Sequence, residues 1–201
     1  MAETNGNGSP SSVTTPLMLH GRVAIVGDPK PAKELVGGIN AAHGGGRAIA
    51  PMLADMSEAS YDATFGINAR GTFLCCREAA NRLARDGRGR IVTFSSSAVG
   101  SLRPGFTAYA ASKAAVEAMT RILARELRGT GITANAVAPG PTASPLFYNG
   151  KTPEEAERYI AEAPLGRIGL PGDIAPLVGF LASDAGGWVN AQVLRCNGGS
   201  I

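Results

Sequence analysis

The feature that most limits the possible folds is a short strand, a serine-rich turn and a long helical pattern in succession between residues 90 and 127. The run RIVTF at 90–94 is apolar and β-branched, which suits a strand buried on both faces of a parallel sheet. From Tyr109 to about Leu127 the spacing predicts a helix, and the run GITANAV at 131–137 predicts another strand. A strand, a crossover helix and a second strand form the unit of a mainly parallel α/β sheet, whose crossovers are right-handed.

The same stretch carries chemistry. Tyr109 and Lys113 lie four residues apart where the helix begins, one turn apart on one face. A phenol alone titrates near ~10, and a neighbouring ammonium favours the phenolate. Tyr109 is therefore expected to exchange a proton with a substrate oxygen near neutral pH, as a general acid/base. Ser96, thirteen residues upstream at the end of the strand, is placed to hydrogen-bond the same oxygen. Ser95 and Ser97 flank it; counting back from Gly100 points to Ser97 instead, and Ser96 is the preferred assignment. A serine, a tyrosine and a lysine in this order describe carbonyl–alcohol chemistry.

Elsewhere strand and helix patterns alternate. The run GRVAIV at 21–26 reads as a buried strand, and PAKELVGGINAA at 31–42 as a helix opened by Pro31. Gly44, Gly45 and Gly46 stop it before a further strand at 47–52, and Asp55 begins a turn. A long helix is expected from Tyr61 to about Ala84, with Phe65, Phe73, Leu74, Ala80 and Leu83 inward. Thr152 followed by Glu155 is a capping-box start for a helix expected to close over a substrate. Pro171 opens another helix to about Leu181, and QVLR at 192–195 reads as the last strand.

Composition removes several function classes. A net charge of +3 over 201 residues is too small to argue for nucleic acid. No run approaches the ~20 apolar residues of a membrane span. Three Cys and two His give neither metal spacing nor an even disulfide set. Reduced thiols and the lack of a secretory or transit-like leader imply a cytoplasmic protein. Residues 1–19 are expected to form a disordered tail before one domain, 20–201.

Tyr109-Ala-Ala-Ser-Lys113, the strand and serines before it, and Asn135-Ala-Val-Ala-Pro-Gly140 after it together resemble the short-chain dehydrogenase/reductase family. The resemblance covers most of residues 21–201. The runs CCREAANRL, YAASKAAVEAMT, APGPTAS and GFLASDAG look like its NADP-dependent aldehyde-reductase-like branch. It implies a Rossmann-like, doubly wound three-layer sandwich. The sheet is expected to be reduced and mainly parallel, with about five strands at 22–26, 47–52, 90–94, 132–137 and 192–195. The 22–26 strand is expected beside both 47–52 and 90–94.

The resemblance also implies the site. The catalytic set is Asn68, Ser96, Tyr109 and Lys113. Tyr109 acts as acid, Ser96 orients the carbonyl, Lys113 tunes Tyr109 and holds ribose, and the Asn68 backbone carbonyl holds a water linked to Lys113. Tyr109, Lys113, Pro139, Gly140, Thr142 and Ser144 face the nicotinamide end of NADP(H), with NAD left open. The substrate is a small apolar carbonyl compound or alcohol, lined by Phe106, Leu146, Phe147 and Tyr148. A homo-oligomer is expected through the 61–84 and 109–127 helices, whose outer faces carry Leu74, Ala79, Ala115, Met119 and Ile122.

The chain departs from the family in two places. After the first strand, the glycine-rich turn that holds the pyrophosphate is replaced by Gly27-Asp-Pro-Lys-Pro31. A second gap, between Asp55 and Tyr61, removes the Asn-Ala-Gly motif. Each gap corresponds to one helix–strand unit, so the domain is expected to be truncated and its NADP(H) binding weak or lost. The alternative to an impaired reductase is a catalytically silent relative that acts through self-association or packing with full-length relatives.

Overall fold

The structure, a computed structural model, describes residues 23–26, 51–148 and 151–201. The expected tail at 1–19 and the helix at 31–42 lie outside these residues. So does the 47–52 strand, apart from Pro51 and Met52, which are not in a strand.

Four described strands form one parallel sheet: β1 (Val23–Val26), β2 (Arg90–Phe94), β3 (Thr133–Pro139) and β4 (Val193–Cys196), in the order β1-β2-β3-β4. The register pairs Val23 with Arg90, Arg90 with Thr133 and Ala136 with Val193. β1 thus pairs with the 90–94 strand as expected, while its other expected neighbour lies outside the described residues.

Side chains of β2 alternate between two cores, as strand geometry requires. Ile91 faces Cys76, Ala79, Ala124, Leu127, Ile132 and Ala134. Val92 faces the opposite side, with Val137, Ile174 and Leu181. The first core is covered by α2 (Thr72–Arg82) and α4 (Thr107–Glu126), the second by α7 (Pro171–Ala182). Helices on both faces of a parallel sheet make a Rossmann-like three-layer α/β architecture. Thr93 and Thr120 pair between the layers: Thr120 Oγ1 donates to the Val116 carbonyl oxygen, and its oxygen lies 2.8 Å from Thr93 Oγ1.

The long helix expected over 61–84 is broken in pattern though continuous in path. α1 (Glu58–Phe65) passes into a π-helical turn, Gly66–Gly71, and then into α2. A π-turn adds a residue to one turn and rotates everything after it. The buried residues of α2 are therefore Thr72, Cys76 and Ala79. Phe73, expected inward, is 48% exposed, and Ala79, expected on the outer face, lies in the core. Ala80 and Leu83 pack against the core as expected.

Between α4 and β3 the chain turns at Gly131, whose φ is +71° and where a Cβ would lie 2.5 Å from Gly87 Cα. Only glycine fits both conditions. Further on, α5 (Pro145–Tyr148) is followed by α6 (Pro153–Glu162), the helix expected over the substrate. The Thr152 box is present: Glu155 N–H donates to Thr152 Oγ1 at 3.2 Å and Thr152 N–H to Glu155 Oε2 at 2.8 Å.

Candidate active site

β2 delivers its last residue, Phe94, and the three following serines to the C-terminal edge of the sheet. Ser95 N–H donates to the Val137 carbonyl oxygen at 2.8 Å and Ser97 N–H to that of Pro139 at 2.9 Å, so this turn is tied to the end of β3. A short helix, α3 (Ala98–Ser101), follows, and Ser96 Oγ accepts from Ala98 N–H at 3.1 Å. α4 then crosses back with Tyr109 in its first turn, and Phe106 stands edge-on to the Tyr109 ring at 6.3 Å.

Ser96, Tyr109 and Lys113 meet at this edge. Ser96 shares a hydrogen bond with the Tyr109 side chain. The Ser97 hydroxyl is buried and has no hydrogen-bond partner among the described residues, so of the two serines Ser96 is the one on Tyr109. Lys113 is buried, 7% exposed, and its Nζ donates to the Phe94 carbonyl oxygen at 3.0 Å. The ammonium is 5.9 Å from the Tyr109 ring centroid.

The electrostatics differ from the sequence expectation. Burial pushes the Tyr109 phenol above its ordinary value, and the Ser96 hydrogen bond opposes that push without cancelling it. The phenol therefore keeps its proton across the neutral range rather than being drawn down toward it.

Asn68 lies within the π-turn, and its Nδ2 donates to Ser112 Oγ at 3.1 Å. Ser112 Oγ donates in turn to the Tyr109 carbonyl oxygen at 2.7 Å, which connects the turn to the first turn of α4. π-turns interrupt the i→i−4 ladder and recur at functional sites.

The loop after β3 holds the remaining expected residues. Gly140 packs directly on the Asn197 backbone, where a Cβ would meet Asn197 Cα at 2.8 Å. Thr142 Oγ1 donates to the Gly140 carbonyl oxygen at 2.9 Å, and Ser144 Oγ accepts from Phe147 N–H at 3.2 Å. Both hydroxyls are thus engaged within the loop. The carboxyl ends of adjacent parallel strands, with the Ser95–Ser97 turn bonded to Pro139, form the crevice in which open α/β sheets take ligands. This edge carries the residues expected to face the nicotinamide end of a dinucleotide. The residues following β1, where the pyrophosphate end would lie, fall outside the described residues.

On the substrate side the expected residues separate. Phe106 is against Tyr109, whereas Phe147 sits edge-on to Tyr148 at 5.1 Å and to Tyr159 at 5.3 Å. Sequence reasoning missed the bridge between these groups: the Arg103 guanidinium lies 4.7 Å over the Tyr159 ring and pairs with Glu162. Nothing local signals a contact across 59 residues. No cluster of metal-ligating side chains occurs among the described residues.

A parallel Rossmann-like sheet carrying a serine, a tyrosine and a lysine at its C-terminal edge defines the class of nucleotide-binding α/β oxidoreductase domains. Residues 33–200 match the family described as enoyl-(acyl carrier protein) reductase. The chain is 58% identical over 151 residues to an NADPH-dependent aldehyde reductase-like protein, chloroplastic, of Arabidopsis thaliana, covering 75% of this chain and 56% of that protein. It is 56% identical over 151 residues to a short-chain type dehydrogenase/reductase of Picea abies, with the same coverage. Among solved structures, a putative dehydrogenase from Burkholderia cenocepacia with bound NADP superposes with a TM-score of 0.74 at 29% identity, over 89% of this chain and 62% of that one. The chain belongs to the short-chain dehydrogenase/reductase family, and it spans a little over half the length of the curated relatives it matches.

Among the described residues no helix is long and apolar enough to cross a membrane.

Proposed function

We propose that this chain is an NADP(H)-dependent carbonyl reductase by construction, with a complete proton-transfer site and a weakened hold on its cofactor. The observation that carries the reading is the meeting of Ser96, Tyr109 and Lys113 at the carboxyl edge of the sheet. Tyr109 is the acid: its phenol, held protonated by burial, gives its proton to the carbonyl oxygen of an aldehyde or ketone. Ser96 donates to the same oxygen and fixes its position. Lys113 holds a buried positive charge beside the Tyr109 ring, which favours the phenolate left after transfer. Asn68 steadies the first turn of α4 through Ser112.

A bound reduced nicotinamide supplies the hydride that the carbonyl carbon accepts. Lys113 and the loop from Pro139 through Gly140 and Thr142 to Ser144 are the residues that would hold its ribose and ring. Names of relatives support NADP(H): the Arabidopsis relative is named NADPH-dependent, and the Burkholderia structure contains NADP. Against tight binding stands the sequence after β1. Pro29 and Pro31 have no amide hydrogen to offer a phosphate, and Asp28 adds a negative charge to the same stretch of sequence.

The test is a fluorescence titration of the full chain with NADPH, followed by aldehyde reduction at saturating cofactor. Turnover abolished by Tyr109→Phe supports the reading. A chain that reduces no aldehyde or ketone even at millimolar NADPH is the silent relative instead.

A further inference from the structure

Three consecutive residues at the end of β2 are gripped by three residues of α4 spaced one turn apart. Lys113 takes the Phe94 carbonyl oxygen at 3.0 Å, Glu117 takes the Ser95 hydroxyl, and Tyr109 meets Ser96. Four-residue spacing puts Tyr109, Lys113 and Glu117 on one stripe of the helix. The proton-transfer reading uses the first two and leaves Glu117 without a role.

The Glu117 contact is short and enclosed. Ser95 is 4% exposed, and its Oγ donates to Glu117 Oε1 at 2.6 Å. The Glu117 side chain is 14% exposed, and its other oxygen accepts from Arg121 Nη2 at 3.3 Å. A hydroxyl bonded to a carboxylate is a charge-assisted contact, stronger and more directional than one between neutral groups. The backbone on both sides is pinned as well, at Ser95 N–H to Val137 and at Ser97 N–H to Pro139. Ser96 is therefore the middle residue of a turn held by the backbone bonds of Ser95 and Ser97, by the N–H groups of Ala98 and Val99 on Ser96 itself, and by the Ser95 side chain. Of these, only the Ser95 side-chain bond comes from the helix that carries Tyr109.

We propose that Glu117 is a positioning residue: its carboxylate holds Ser95 and so sets the turn that presents Ser96 to Tyr109. It ties the reference frame of the serine to the helix that carries the tyrosine, so that the two hydroxyls keep their relative position. Arg121 balances the carboxylate's charge from the solvent side. The inference rests on the proposed pairing of Ser96 with Tyr109 in proton transfer, and its test does not depend on turnover.

The full chain contains four tyrosines, so labelling tyrosine Cζ with carbon-13 gives a small set of signals that respond to hydrogen bonding at the phenol. Tyr109→Phe assigns the Tyr109 signal, and Ser96→Ala marks its position once the serine bond is lost. Glu117→Ala is expected to move the Tyr109 signal toward the Ser96→Ala position. Glu117→Gln, which retains an acceptor oxygen, is expected to move it less, and Ser95→Ala is expected to repeat the Glu117→Ala result. If Glu117→Ala does not fold, Ser95→Ala, which removes a single oxygen, decides. A Tyr109 signal left in place in a folded Glu117→Ala or Ser95→Ala protein overturns the proposal. Absence of carbonyl reduction by the unaltered chain overturns the catalytic reading alone, because the carbon-13 signal is read without substrate or cofactor.

Discussion

Lys113 reaches across from α4 to the carbonyl oxygen of Phe94, 3.0 Å away, and is thereby bound to the very strand whose next two residues lead to Ser96. A hydrogen bond from a charged donor contributes about 1.5–3 kcal/mol, and removing it strands a buried acceptor. Lys113→Met keeps the length and bulk of the stem and deletes the charge. It should lower stability in urea unfolding by about 2 kcal/mol and abolish any carbonyl reduction; unchanged stability would show that the contact is idle.

The raised Tyr109 phenol sets a pH dependence. Reduction needs the protonated form, and burial holds that form to above the ordinary phenol value of about 10. Initial rates of reduction, measured with cofactor saturating, should be level across the neutral range and fall only in the alkaline limb. The reverse oxidation needs the phenolate and should rise with pH. A reduction rate that falls between about pH 6 and 8 would mean that another group gives the proton.

Cys76 makes stability itself pH-dependent. Burial, with Cys75 adding to it, pushes its thiol from 9.0 up to about 11. The unfolded chain loses this proton from about pH 9, whereas the folded chain keeps it to about 11, so the unfolded state binds fewer protons in that window. The contribution is whole below pH 9 and declines as pH rises toward 11, by ~2 kcal/mol over the window. Urea unfolding at several alkaline pH values should show this slope, and Cys76→Ala should flatten it. Raised Tyr109 acts in the same direction at still higher pH.

Gly140 is a steric requirement rather than a conformational one. Its absent Cβ leaves room for the Asn197 backbone, which a methyl group would meet at 2.8 Å. Gly140→Ala must push apart the loop after β3 and the loop after β4, at a cost of about 1–3 kcal/mol. Denaturant midpoints of the two proteins give the comparison.

For assembly, we propose self-association through the outer faces of α2 and α4. Phe73 and Ile122 are 48% and 55% exposed there, and apolar side chains left open on neighbouring helices mark contacts. Ile122→Glu should lower the mass seen by light scattering at micromolar concentration. An unaltered chain that is already monomeric under those conditions contradicts the proposal.

The sequence by itself determined what depends on neighbours along the chain. Alternating apolar runs located the strands at 90–94, 133–139 and 193–196 to within about two residues, because a parallel strand buried on both faces leaves a local pattern. Thr152 and Glu155 announced their capping box because both partners lie in one turn. Tyr109 and Lys113 were legible as a pair for the same reason. Tertiary structure alone decided which face of the 58–82 helical run is buried, because the π-turn at Gly66–Gly71 rotates Phe73 outward and Ala79 inward, and no periodic reading anticipates an inserted residue. It alone decided the direction of the Tyr109 shift, which follows from the burial of the phenol. The grip of Glu117 on Ser95, 22 residues apart, and of Arg103 on Glu162, 59 apart, exists only because the sheet brings the strand ends and helices to one edge. Spacing along a chain encodes periodicity; contacts between distant segments are fixed by packing.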